Sequence, residues 1–121
     1  GVGTISNADY VYELLKPIQS SIKYKAFVDA GWFLDIPSYN DTSFTFRMCA
    51  QDLLSNWHVI YNQDCMDHYK GEEWKCFHAQ YAYPFIKTDT IYHEFQTDAA
   101  NNGFDGIHDL NNPVQLEFVK K

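Results

Sequence analysis

Ile5, Ala8, Val11, Tyr12 and Leu15 recur at helical spacing, which predicts an amphipathic helix over Gly1 to Leu15 that Pro17 ends. The helix opens Gly1-Val2-Gly3-Thr4 without a capping side chain, so it reads as the inside of a longer element. Gln19 to Ser21 are a polar connection to the apolar run Tyr24 to Val28, which reads as a strand, and Asp35 to Ser43 reads as loop. Cys49, Leu53, Leu54, Trp57, Ile60 and Tyr61 share one face and predict a second helix from Cys49 to Tyr61. Asn62 to Gly71 reads as irregular, and Glu72 to Tyr83 as a short helix stopped by Pro84. Ile86 to Phe95 is the second predicted strand, followed from Asn101 by loop until Val114 to Val119, which fits a helix or a strand. The order of these elements predicts part of a parallel α/β sheet with a helical insertion between its strands. A parallel pair is normally buried on both faces, so the sheet is expected to be incomplete as given.

With 45% hydrophobic and 17% aromatic residues, a core is readily filled. A formal net charge of −7 with scattered lysines gives no reason to expect nucleic acid or anionic lipid as a partner. No apolar run approaches the length of a membrane span, and no charged-then-apolar leader is present in these residues. Of three cysteines, Cys65 and Cys76 bracket an eleven-residue step that a disulfide would close; a ligand or nucleophile role is the alternative. Cys49 is then free or paired outside this chain. Asn40-Asp41-Thr42 is a glycosylation sequon, which together with a disulfide suggests an extracellular or secretory setting.

The clearest candidate chemistry is Asp29-Ala30-Gly31-Trp32-Phe33-Leu34-Asp35, where a strand ends at a glycine and an aromatic pair lies between two carboxylates. Pocket walls in open α/β sheets are built at such strand ends, so Trp32 and Phe33 are candidate pocket residues; plain core packing is the competing reading. Asp29 and Asp35 are equally suited to capping turns. Asp98 follows the second strand by about three residues, a place from which a carboxylate can orient a histidine. His58, His68 and His78 recur in steps of ten, which matches no metal-ligand motif, and surface positions are expected for them.

Taken in order, Gly1-Val2-Gly3-Thr4-Ile5-Ser6-Asn7-Ala8-Asp9, Asp29 to Asp35, and Gly71-Glu72-Glu73-Trp74-Lys75-Cys76-Phe77 with Tyr83-Pro84 resemble the pectin acetylesterase and Notum family of carboxylesterases. The resemblance implies an α/β-hydrolase-type fold, with residues 1–121 an internal segment of one catalytic domain. That segment runs from the helix after the Gly-x-Ser-x-Gly nucleophile elbow to just past the triad aspartate. It also implies that Asp98 is that aspartate, that the serine and histidine lie in flanking segments of the same protein, and that no cofactor is required. The substrate implied is an acyl ester, on a lipidated protein or an acetylated polysaccharide, with Trp32 and Phe33 against the acyl group.

Two departures support an alternative, a catalytically inactive relative serving as a structural or carbohydrate-binding component. Cys49 matches a bridged family cysteine but lacks its partner a few residues earlier. Gln96 and Thr97 are more polar than the apolar pair expected before the aspartate.

Overall fold

The structure is a computed structural model that describes residues 1–39, 45–95 and 98–120. The Asn40 sequon and the polar pair Gln96 and Thr97 lie outside the described residues. Strand β1 (Ala26–Asp29) pairs in parallel with β2 (Thr90–His93), placing Ala26 opposite Thr90 and Asp29 opposite His93. Because side chains alternate along a strand, Ala26 and Val28 face inward while Phe27 and Asp29 face out. Helix α1 (Val2–Leu15) lies against the inner face through Ile5 and Ala8, as its apolar spacing predicts. Ile5, Val28, Phe46, Ala50, Tyr61 and Phe77 form the buried centre. On the outer face Phe27 and Ile91 are 58% and 60% exposed, an arrangement a parallel sheet normally covers with further elements.

Between the strands the insertion is helical, but with other boundaries than the periodicity predicts. Helix α2 (Phe46–Trp57) begins three residues before Cys49, because the Thr45 hydroxyl accepts the Met48 N–H and caps it. It stops before Tyr61, because His58 turns left-handed with φ of 51°. The stretch expected to be irregular holds α3 (Gln63–His68), capped by the Asn62 side chain accepting the Cys65 N–H at 3.2 Å. The single helix expected over Glu72 to Tyr83 is instead a 3₁₀ turn (Glu73–Phe77), α4 (Ala79–Ala82) and a second 3₁₀ turn (Tyr83–Phe85). Pro84 sits at the start of that last turn, where its missing N–H is no loss. Past β2, α5 (Ala99–Phe104) occupies residues read as loop, and α6 (Pro113–Val119) resolves the helix-or-strand choice in favour of helix.

Cys65 and Cys76 are bridged, with Cα atoms 5.9 Å apart, and tie α3 to the first 3₁₀ turn; Cys49 is free. A second tie joins the loop after β1 to α2. Arg47 donates from Nε and a terminal nitrogen to the two Asp35 oxygens at 2.8 and 3.0 Å, and the Tyr81 hydroxyl donates to the same carboxylate at 3.1 Å. Burial works to raise the Asp35 carboxyl, but these bonds outweigh it and hold it below the usual carboxylate range. Asp9 does the same for α1. It accepts the Lys87 and Thr88 backbone N–H groups and the Asn62 amide, which overcome burial and keep it ionised below its ordinary value.

His78 departs from the surface position expected for it, whereas His58 and His68 are exposed. It is fully buried, its ring meeting Trp74, Phe77 and Tyr81 edge-on, with neither ring nitrogen hydrogen-bonded by the described residues. Desolvation pushes its pKa down to about 4, against the pull of Asp35. Below its ordinary value of 6.5 the unfolded chain takes up a proton that the folded chain resists, so this contribution is lost as pH falls from about 6.5 towards 4. Asp105 acts in the opposite sense. Burial raises its carboxyl to about 6, so the folded state gains relative to the unfolded as pH falls through that value. The two offset one another in the wild-type protein, and single variants are needed to see either. We expect His78→Phe to improve relative stability at pH 5 over pH 7.5 by about 2 kcal/mol, measured by urea unfolding at both pH values. Packing changes act equally at both, so an identical effect at the two pH values would count against a titrating His78.

Candidate functional site at the carboxyl ends of the strands

Three chain segments meet where β1 and β2 end. The Ala30 N–H continues the ladder by donating to the His93 carbonyl at 3.0 Å, and Ala30 itself turns left-handed with φ of 50°. A non-glycine residue in that region costs about 1 kcal/mol, a strain often found where a strand end is bent to serve a site. Gly1, at the head of α1, is seated directly on this turn: a Cβ there would come within 2.6 Å of the Ala30 carbonyl oxygen and the Gly31 Cα. Glycine at both positions is therefore what lets the helix head approach the strand end.

Trp32 and Phe33 leave the turn in different directions. Phe33 stacks on Phe46 and Phe77, with centroids 4.5 and 5.6 Å away, and belongs to the aromatic core of the insertion. Trp32 packs edge-on to Tyr92 at 5.0 Å and tilted against the exposed Tyr83 at 5.9 Å, forming an aromatic rim at the strand ends. Its backbone N–H donates to Glu94 Oε2 at 2.8 Å.

Asp98 lies just beyond β2 as the N-cap of α5, one carboxylate oxygen accepting the Asn101 N–H at 2.9 Å. The other oxygen takes no hydrogen bond from the described residues. Asp29 is not a turn cap. Its carboxylate lies 2.8 Å from His93 Nδ1 across the register pair, on the exposed face of the sheet. Among the described residues no three His, Cys, Asp or Glu side chains converge as a metal site, and no helix is long and apolar enough to cross a membrane.

Glu94 and Asp105 are not marked as functional by the sequence. Neither carries a sequence signal: Glu94 follows a stretch that already holds Lys87, Asp89 and His93, and the perturbation of Asp105 comes from burial alone. A cleft of about 1140 Å³ lies at the opposite ends of the strands, lined among others by Tyr12, Tyr24, Lys25, Asp64 and Lys87. It contains none of Trp32, Phe33 and Asp98. Sites in open α/β sheets form beyond the carboxyl ends of the strands, so the Gly31 and Asp98 turns are the stronger candidate despite that cleft.

A helix head on a strand-end turn, beside a second parallel strand followed by an aspartate, is the arrangement of an α/β-hydrolase-type sheet, here in part. Comparison with known proteins agrees. The chain is 31% identical to the palmitoleoyl-protein carboxylesterase notum1a of Danio rerio over 95% of its own length and 24% of that protein. It is 31% identical to the palmitoleoyl-protein carboxylesterase of Mus musculus over 95% of its length and 24% of the relative. The crystal structure of the Wnt deacylase Notum from Drosophila superposes with a TM-score of 0.89 at 23% identity, covering 98% of this chain and 34% of that one. The family model described as pectinacetylesterase matches residues 1–112. The chain belongs to the pectinacetylesterase family and is Notum-like within it. It spans about a quarter of the length of these curated relatives, 24% in both cases.

Proposed function

We propose that residues 1–121 are an internal segment of a single α/β-hydrolase-like catalytic domain of a secreted serine carboxylesterase, in which Asp98 is the aspartate of a Ser-His-Asp triad. The serine and histidine are supplied by other parts of the same protein. The observation that carries the reading is the meeting of the α1 head, the Gly31 turn and the Asp98 turn at one edge of the sheet, in a chain of this family.

In this scheme the serine attacks the ester carbonyl while the histidine takes its proton and passes it to the leaving alcohol. Asp98 accepts the imidazole N–H, fixes the tautomer and stabilises the imidazolium. The amino-terminal dipole of α1 points at the developing oxyanion alongside backbone N–H donors. Water then releases the acyl group. Trp32 forms part of the wall against that group, with Tyr83 and Tyr92 extending the apolar rim beside it, while Phe33 supports the turn from the core through Phe46 and Phe77. This favours an acyl ester of a lipidated protein over an acetylated polysaccharide. The Cys65–Cys76 bridge fits an oxidising, extracellular setting.

Fluorophosphonate labelling of the full-length protein tests the proposal. We expect one labelled serine, in a Gly-x-Ser-x-Gly segment immediately before Gly1, and no label on Ser6, Ser20, Ser21, Ser38, Ser43 or Ser55. An unlabelled, folded full-length protein would instead identify a catalytically inactive relative.

A further inference from the structure

Glu94, the residue after β2, connects the two halves of the proposed site. Its Oε2 accepts the Trp32 N–H at 2.8 Å, and its Oε1 accepts the Asn101 side-chain amide at 3.3 Å. Asn101 in turn donates its backbone N–H to Asp98 at 2.9 Å. Three hydrogen bonds thus run from the pocket wall at the end of β1 to the carboxylate after β2. Among the described residues the Asn101 Oδ1 is buried without a hydrogen-bond partner.

We propose that Glu94 is a positioning residue that sets the Asp98 turn against the Trp32 wall. The inference rests on the reading of Asp98 as the triad aspartate. A two-atom polar head of this reach is what the role requires. Glu94→Gln keeps an acceptor for the Trp32 N–H and presents an amide N–H that Asn101, rotated about its side chain, accepts with the oxygen now unpartnered. Glu94→Ala severs both links.

The test is turnover of p-nitrophenyl butyrate by full-length protein carrying Glu94→Ala, Glu94→Gln, Asp98→Asn, or Glu94→Ala with Asp98→Asn. Misplacing a catalytic group by about 1 Å costs up to about a hundredfold, so Glu94→Ala is expected to lower kcat ten- to a hundredfold with KM within about threefold. Glu94→Gln should restore kcat to within about threefold of wild type. In the Asp98→Asn background Glu94→Ala should cost nothing more, because a residue acting through another contributes nothing once that one is gone. Asn101→Ala, which cuts only the link to α5, should also lower kcat and serves if Glu94→Ala does not fold.

Wild-type kcat in Glu94→Ala or Asn101→Ala, failure of Glu94→Gln to restore it, or losses that multiply fully with Asp98→Asn would overturn the proposal. If Asp98→Asn alone turns over at the wild-type rate, the triad reading itself falls. If it is inactive while Glu94→Ala is unimpaired, only the role of Glu94 falls.

Discussion

Asp98→Asn in the full-length protein is expected to reduce kcat by about 10³- to 10⁴-fold while changing KM little, the loss seen when a triad carboxylate becomes an amide. The substitution separates catalysis from folding. Asparagine is as good an N-cap as aspartate, so the bond from the Asn101 N–H and the start of α5 should survive, and the melting temperature should hardly move. What asparagine cannot do is accept the imidazole N–H as an anion and hold the charge that develops on the histidine. Asp98→Ala should lose the same activity and in addition about 1 kcal/mol of stability, the usual worth of a cap. Stopped assays with a nitrophenyl ester, read beside thermal melts of both variants, resolve the two effects. Undiminished turnover in Asp98→Asn would place the triad aspartate elsewhere, and Asp105, whose carboxyl burial already raises, is the next position to change.

The second large effect concerns stability. Replacing Cys65 and Cys76 together by alanine should cost about 3 kcal/mol by the chain-entropy estimate for a loop of this length, before any loss of packing. Packing adds to it, because both residues are essentially without exposure, at 0% and 1%. The bridge holds α3 to the 3₁₀ turn that carries Phe77, and Phe77 in turn stacks on Phe33 beside the strand-end turn. Loosening it therefore reaches the site as well as the insertion. A fall in melting temperature of about 10 °C is expected, with Cys49→Ala as a control that shifts it far less. Reductant should lower the wild-type melting temperature by more than that of the double variant. A peptide map showing free thiols at both positions would remove the basis of this expectation.

Elements with a strong local pattern are legible in the chain itself. The spacing from Ile5 to Leu15 marked α1, and the apolar run before Asp29 marked β1, since each pattern is written in consecutive residues. Boundaries were less so. Helix α2 begins at a threonine cap and ends at a left-handed histidine, and neither alters the hydrophobic period. Helices α3 and α5 were hidden for a related reason: they are six residues each, too short for a period to show, and their caps Asn62 and Asp98 resemble loop residues. At the candidate site, the strand-end turn and Asp98 stand out in the sequence as candidates. The division of labour between Trp32 and Phe33 was not, because whether an aromatic lies at a rim or in a core depends on neighbours remote in the chain.

The parallel α/β plan, the Cys65 to Cys76 bridge and the family are written along the chain, because periodicity, short loop closure and ordered motifs are properties of local order. Folding in three dimensions selects the rest: Asp9 bonds backbone groups 78 and 79 residues away, Glu94 reaches Trp32 across 62 residues, and His78 is buried with no hydrogen bond to its ring from the described residues. A carboxylate or an imidazole is suited equally to water, a cap or a buried network, and only the groups that folding brings against it select among them.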